Sequence, residues 1–192
     1  NGIDLTEGGL VWTKHRNGAS QHALFDTERG VLKGLASSNT SAEANETGSV
    51  TAFNSNGYTL GTWSGVNYNT YTYASWTFRK APKFFDIVTY TGNGVAGRSI
   101  SHSLNSDVGT ILFKRTDSAS SWIVWHRSAG GAYGFLDTTD AFTADSGISN
   151  PTTTAFTIES TINAGWNADG ATYVAYLFAH NNSDGEFGPD SD

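Results

Sequence analysis

The chain has 192 residues, a mass of 20.5 kDa and a formal net charge of −7, with 15% charged and 13% aromatic residues. Twenty-two glycines and a background rich in Ser, Thr and Asn exclude a long-helix or coiled-coil protein, and the length allows one large domain or two small ones. An acidic chain without a Lys/Arg run is a poor partner for phosphate backbones, no apolar run approaches the ~20 residues of a membrane-spanning helix, and the absence of Cys excludes disulfides and thiolate metal sites.

Short β-branched and aromatic runs recur along the chain, separated by Gly, Asn and Ser. They predict strands at 10–14, 22–27, 50–53, 71–79 and 84–90, then at 110–115, 122–127, 133–137, 155–159 and 172–180. Residues 41–46 (SAEANE) offer the only helical turn. In 172–180 both alternating sets are apolar, which predicts a central strand covered on both faces. Pro82, Pro151 and Pro189 all fall outside strand interiors. Ten or more short strands with frequent turn signals predict an all-β fold, a sandwich or jelly roll.

The chain also resembles itself at an offset of 100 residues. LVWTKHR at 10–16 reads like ILFKRTD at 111–117, with Lys14 and Lys114 separated by 100, and 67–80 lies over 167–180 at the same offset. In the second pair Asn67 meets Asn167, Thr72 meets Thr172, Tyr73 meets Tyr173, Trp76 meets Tyr176 and Phe78 meets Phe178. Two similar halves, 9–80 and 109–180, are therefore expected, with an acidic tail at 181–192. The link at 79–86 is short and apolar, which favours a single sandwich domain over 1–192. The lack of any Met, including at position 1, implies a processed product or a piece of something longer.

Catalytic patterns are absent from the sequence. Most acids sit in turns beside Gly, Ser or Thr, and Asp26 and Asp137 at strand ends are the only acids placed to face a groove. Gly97-Arg98-Ser99-Ile100-Ser101 lacks the second glycine of a nucleophile elbow, and the five His have no metal-ligand spacing. The tail 181–192 supplies Asp184, Glu186 and Asp190 as weak calcium candidates, although its ends do not fit an EF-hand loop. Sugar binding has better support. TWSGVNYNTYTY at 62–73 and NAGWNADG at 163–170 place aromatics among Asn and Asp, so that rings could stack on a pyranose while amides read its hydroxyls. The candidate ligand residues are Trp63, Asn67, Tyr71, Trp166, Asn167 and Asp169; no cofactor is expected.

Residues 8–30, 49–61, 90–104, 111–128 and 172–188 resemble a domain found in virion proteins of marine tailed phages, cyanophages especially. That resemblance implies a concanavalin-like β-sandwich in a tail-fibre or other structural protein, with no catalytic residues to carry over. The expectation is thus a non-enzymatic module on a virion surface, adhesin-like and able to bind host glycan, with other virion proteins or further copies of the domain as partners. A purely architectural subunit is the alternative, and a glycan depolymerase ranks third. Trp12, Phe25, Phe53, Trp76, Phe78, Phe84, Leu112, Trp125, Phe156, Tyr176 and Phe178 are the expected core.

Overall fold

The structure is a computed structural model that describes residues 2–144, 147–149, 151–159 and 165–181. The chain divides into two compact units, Asn1–Lys80 and Ala81–Asp192. All named strands pair antiparallel, and among the described residues the only helical element is a 3₁₀ turn at Arg127–Ala129.

In the first unit, β1 (Gly9–His15), β2 (His22–Asp26), β3 (Lys33–Ala36), β4 (Ala44–Asn45) and β7 (Tyr73–Arg79) form one sheet, in the order β4-β3-β2-β1-β7. The segment read as a helical turn, 41–46, instead carries the two-residue strand β4, whose Ala44 pairs with Gly34. A six-residue helix would close too few hydrogen bonds to stand without packing, whereas an adjacent sheet edge offers bonds at once. The hairpin of β5 (Val50–Asn54) and β6 (Gly57–Leu60) makes the second layer. Val11, Ala23, Phe25 and Val50 are buried together with Leu5 and Val66, and Phe53, Tyr58, Leu60 and Trp63 close over them.

In the second unit, β8 (Phe85–Thr91), β10 (Val108–Arg115), β11 (Ile123–His126), β12 (Tyr133–Phe135) and β15 (Thr172–Ala179) form a sheet ordered β12-β11-β10-β15-β8. The facing layer is β13 (Ile148–Ser149), β14 (Ala155–Ile158) and β9 (Arg98–Ser101), ordered β13-β14-β9. Ile111, Phe113, Ile123, Trp125, Ala175 and Leu177 from one layer meet Ile100, Ile148, Phe156 and Ile158 from the other. As its two apolar faces predict, β15 is central and buried over most of its length.

The offset of 100 residues reappears in the strand register. Thr13 pairs with Ala23 and Phe113 with Ile123; Leu10 pairs with Phe78 and Thr110 with Phe178; His15 pairs with Tyr73 and Arg115 with Tyr173. The outer layers correspond at an offset of 98, since Val50 pairs with Leu60 and Ile148 with Ile158. β8 and β9 have no counterpart in the first unit and lie beyond β15 and β14 in the two layers of the second, as β4 has no counterpart in the second unit.

That difference corrects part of the expected core. Trp76 is 48% exposed, whereas Tyr176 at the matching position is fully buried. β7 ends its sheet, so Trp76 has a sheet neighbour only on the side of Trp12. Tyr176 lies between Leu112 on β10 and Ile87 on β8, and its ring stacks on Trp122 and Phe85. Trp12, Phe53, Phe78, Phe84, Leu112 and Phe178 are half-buried rather than core. Phe25, Trp125, Phe156 and Tyr176 are buried as expected.

Candidate functional site

The first unit carries an aromatic pocket at one end of its sheet. Its scaffold is the turn after β6. The amides of Val66 and Asn67 both donate to the Trp63 carbonyl, at 3.1 and 2.9 Å, and Asn67 Nδ2 donates to the Gly61 carbonyl at 2.8 Å. Gly65 lies under the Trp63 ring so closely that a Cβ there would come within 2.1 Å of it. The turn is tied to β7 by Tyr73, whose hydroxyl accepts from the Tyr68 amide at 3.0 Å and donates to the Ser64 carbonyl at 2.7 Å. Thr70 has a φ of 71°, and Asn17 clasps the neighbouring chain by accepting from the Thr72 amide at 2.9 Å.

This scaffold places three rings in series, His15, Tyr71 and Tyr68. Tyr71 stacks on His15 with centroids 4.1 Å apart and planes within 14°, and Tyr68 tilts over Tyr71 at 4.9 Å. Trp63 stands edge-on to the buried Phe25 at 6.2 Å. Tyr68 and Tyr71 are 52% and 42% exposed, so their rings form a rim in solvent. The pocket they border has a volume of about 620 Å³ and takes in His15, Ser20, Gln21, Glu46, Trp63 and Ser64. A smaller cavity of about 140 Å³ shares Gln21, Glu46 and Trp63 with it and is lined further by Ser41 and Ala44.

Two polar groups there stand out. His15 is buried, yet its Nε2 has no hydrogen-bond partner, and a buried polar atom left unsatisfied carries a cost that calls for an explanation. Glu46 is the one carboxylate among the residues that line the pocket. Aromatic walls, a lone acid, an amide and two hydroxyls suit a hydroxyl-rich ligand.

Of the residues proposed from sequence, Trp63 and Tyr71 line this pocket, and Asn67 belongs to the turn that shapes it. The second unit holds the others, and there the ligand-facing expectation is corrected. Trp166 is 1% exposed, its ring edge-on to Phe113 and Tyr133. It fits only because residue 147 is glycine, where a Cβ would lie 1.9 Å from the indole. Asn167 is 2% exposed and spends its side chain internally: Oδ1 accepts from the Asn93 amide at 3.1 Å, and Nδ2 donates to Asn93 Oδ1 and the Val95 carbonyl at 3.1 and 2.9 Å. Asp169 is exposed beside them. Asp26 does not face a groove; it is fully buried against Arg29, whose Nε donates to Oδ2 at 2.5 Å. Asp137 accepts from the Trp122 amide at 2.9 Å. His102 accepts from the Leu104 amide at 3.3 Å, a turn contact, and burial pushes its pKa down. The calcium candidates Asp184, Glu186 and Asp190 lie outside the described residues; among the described ones no cluster of three or more His, Asp or Glu could hold a metal ion.

Sequence reading missed His15, Gln21 and Glu46. The signal for His15 is the repeat: once 9–15 and 73–79 are read as neighbouring strands, His15 falls opposite Tyr73 and beside Tyr71. Glu46 and Gln21 carry no such signal, since they come from loops, Gln21 from the one between β1 and β2 and Glu46 from the one after the two-residue strand β4.

The chain matches the family model Domain of unknown function (DUF7483) over residues 2–189, nearly its whole length, and belongs to that family. No curated protein and no solved structure matches it.

Proposed function

We propose that the chain is a non-enzymatic carbohydrate-binding module, and that the first unit does the binding through the pocket of Trp63, Tyr68, Tyr71 and His15. The observation that carries this reading is one open pocket lined by Trp63, Gln21, Glu46 and Ser64 and rimmed by the exposed rings of Tyr68 and Tyr71. Aromatic faces take the C–H side of a sugar ring, and its hydroxyls would bond Gln21 and Glu46. Glycosidic hydrolysis by the usual route uses two carboxyls roughly 5 to 10 Å apart, and the single Glu46 in this pocket favours binding over cleavage. The setting we propose, on the surface of a tailed-phage particle as an adhesin or tail-fibre module, draws on the sequence resemblance.

A shallow site of this kind must offset the cost of association with few contacts, so useful adhesion would come from several copies, where linked sites raise avidity by ~10²–10⁴. The test is an array of bacterial surface polysaccharides probed with monomeric and multivalent forms. The multivalent form should bind selected glycans, the monomer should bind them weakly, and Trp63→Ala or Tyr71→Ala should remove the signal while leaving the melting temperature within a few degrees. Binding that survives both substitutions, or no binding to any glycan, would turn the assignment to an architectural subunit. The internal roles of Trp166 and Asn167 favour that second reading for the second unit.

A further inference from the structure

The small cavity beside the aromatic pocket is walled by small residues where the second unit carries large ones. Ala23 and Leu24 on β2 face Ala36 and Leu35 on β3, as Ile123 and Val124 on β11 face Phe135 and Gly134 on β12. Ala23 therefore stands where the second unit has Ile123, Ala36 where it has Phe135, and Gly34 where it has Tyr133. In the second unit Ile123 is 1% exposed, and Tyr133 and Phe135 pack against the same core. In the first unit Ala23, Gly34 and Ala36 line the cavity of about 140 Å³, and Leu35 and Ala42 complete its apolar wall. A void beside a core costs stability in proportion to its volume, so space kept open at these positions suits an occupant from outside the chain.

Polar groups stand where this cavity adjoins the larger pocket. Gln21, Glu46 and Trp63 line both. The Glu46 amide donates to the Leu32 carbonyl at 2.8 Å, and its side-chain stem lies over β3 so closely that a Cβ at Gly34 would come within 2.8 Å of Cγ. Neither the Glu46 carboxylate nor the Gln21 carboxamide has a hydrogen-bond or ion-pair partner among the described residues. The first accepts from an N–H, and the second donates to a carbonyl. The volumes divide the ligand: the pocket of about 620 Å³ takes a sugar ring against the rim of Tyr68 and Tyr71, and the small cavity takes a substituent on that ring.

Resting on the carbohydrate reading of the aromatic pocket, we infer that its ligand is an N-acetylated amino sugar, with the acetamido methyl in the small cavity, the acetamido N–H donating to Glu46 and its carbonyl accepting from Gln21. An acetamido group matches all three features of the wall: a short apolar end for Ala23, Ala36 and Ala42, a donor for the acid and an acceptor for the amide. A hydroxyl in its place leaves the apolar wall empty. A free ammonium satisfies Glu46 but sets a charge against alanines.

The experiment uses the full chain in its multivalent form, on oligomers of glucose, glucosamine and N-acetylglucosamine of one linkage and on the matching galactose series, which differ only in the substituent on carbon 2. At least about tenfold tighter binding of an N-acetylated series than of its parent hexose is expected, since a methyl in an apolar pocket alone discriminates by about that much. Ala42→Leu, which fills the small cavity from its half-buried wall, should abolish the preference while leaving hexose binding and the melting temperature as they are. With ¹⁵N-labelled chain, N-acetylglucosamine should shift amides of 34–36 and 42–46 that glucose leaves in place. Should Ala42→Leu unfold the protein, the matched oligomers and the amide map still decide. Equal binding of hexose and N-acetylated oligomers, a preference for glucosamine, or a preference that survives Ala42→Leu in the folded chain overturns this inference and leaves the carbohydrate reading standing. Binding to no glycan at all overturns both.

Discussion

Tyr73 and Tyr173 perform the same task one hundred residues apart. The Tyr73 hydroxyl accepts from the amide of Tyr68 at 3.0 Å, and the Tyr173 hydroxyl accepts from the amide of Ala168 at 2.9 Å. Each tyrosine thereby ties the loop five residues upstream to the start of its strand. Their surroundings differ. Tyr173 is buried against Tyr90, and burial pushes its pKa up; Tyr73 is half-buried and has His15 at 5.6 Å.

The two tyrosines should therefore respond unequally to loss of the hydroxyl. Tyr73→Phe is expected to cost about 1 kcal/mol, because water can reach the freed amide, and Tyr173→Phe about 1–3 kcal/mol, because the Ala168 amide lies under more protein. Urea unfolding of both variants measures this, and equal losses would mean that water reaches the loop at 168 as readily as the one at 68.

Trp76 and Tyr176 also hold matching positions, and the flanking strand decides their worth. Tyr176→Ala removes a fully buried ring and should cost about 3–5 kcal/mol. Trp76→Ala, at the end of its sheet, should cost about 1 kcal/mol. A Trp76→Ala loss as large as that of Tyr176→Ala would show that something covers Trp76 in solution.

This pair also marks the limit of what the sequence could convey. Strand positions were legible, because alternation and turn residues are local signals; the runs at 10–14, 22–27, 110–115 and 172–180 all lie in strands. The equivalence of β1 with β10 and of β7 with β15 was legible through the repeat, since Lys14 pairs with Ala74 and Lys114 with Val174, the same 100 residues apart. Burial was not. A tryptophan in an apolar strand reads as core whether or not another strand flanks it, and no local signal says that β8 has a counterpart in one unit and not the other. The same blindness misplaced Trp166, an aromatic in an Asn- and Gly-rich loop that folds inward because Gly147 leaves room for it.

Asp26 and Arg29 form a deeply buried ion pair, with side chains 0% and 4% exposed. Arg29 also donates to the Lys33 carbonyl, the Leu24 carbonyl and Glu43, so one guanidinium staples the turn between β2 and β3. Removing it strands a buried carboxylate, and Arg29→Ala should cost about 3–5 kcal/mol. Arg79→Ala, which breaks the solvent-exposed pair with Glu7, should cost at most about 1 kcal/mol. Chemical denaturation of the two variants side by side distinguishes these cases; comparable losses would contradict the burial argument.

Lys114 gives stability a pH dependence of unusual sign. Its side chain is 0% exposed, Nζ donates to the Ser120 carbonyl at 2.6 Å, and burial lowers its pKa to about 8 against the pull of Asp137. Below pH 8 the lysine is charged in both the folded and the unfolded chain, and the folded state bears the full cost of burying that charge. Between about 8 and the unfolded value of 10.5 the unfolded chain holds a proton that the folded chain has released, so stability rises with pH across this window. The rise should be on the order of 2 kcal/mol. Tyrosines titrate near its upper end, so the measurement is a difference: urea unfolding of the parent chain and of Lys114→Met at pH 7, 8.5 and 9.5. The parent should gain on the variant at each step. Parallel stabilities over that range would mean that Lys114 keeps its proton when folded, and that its carbonyl partner and Asp137 outweigh the burial.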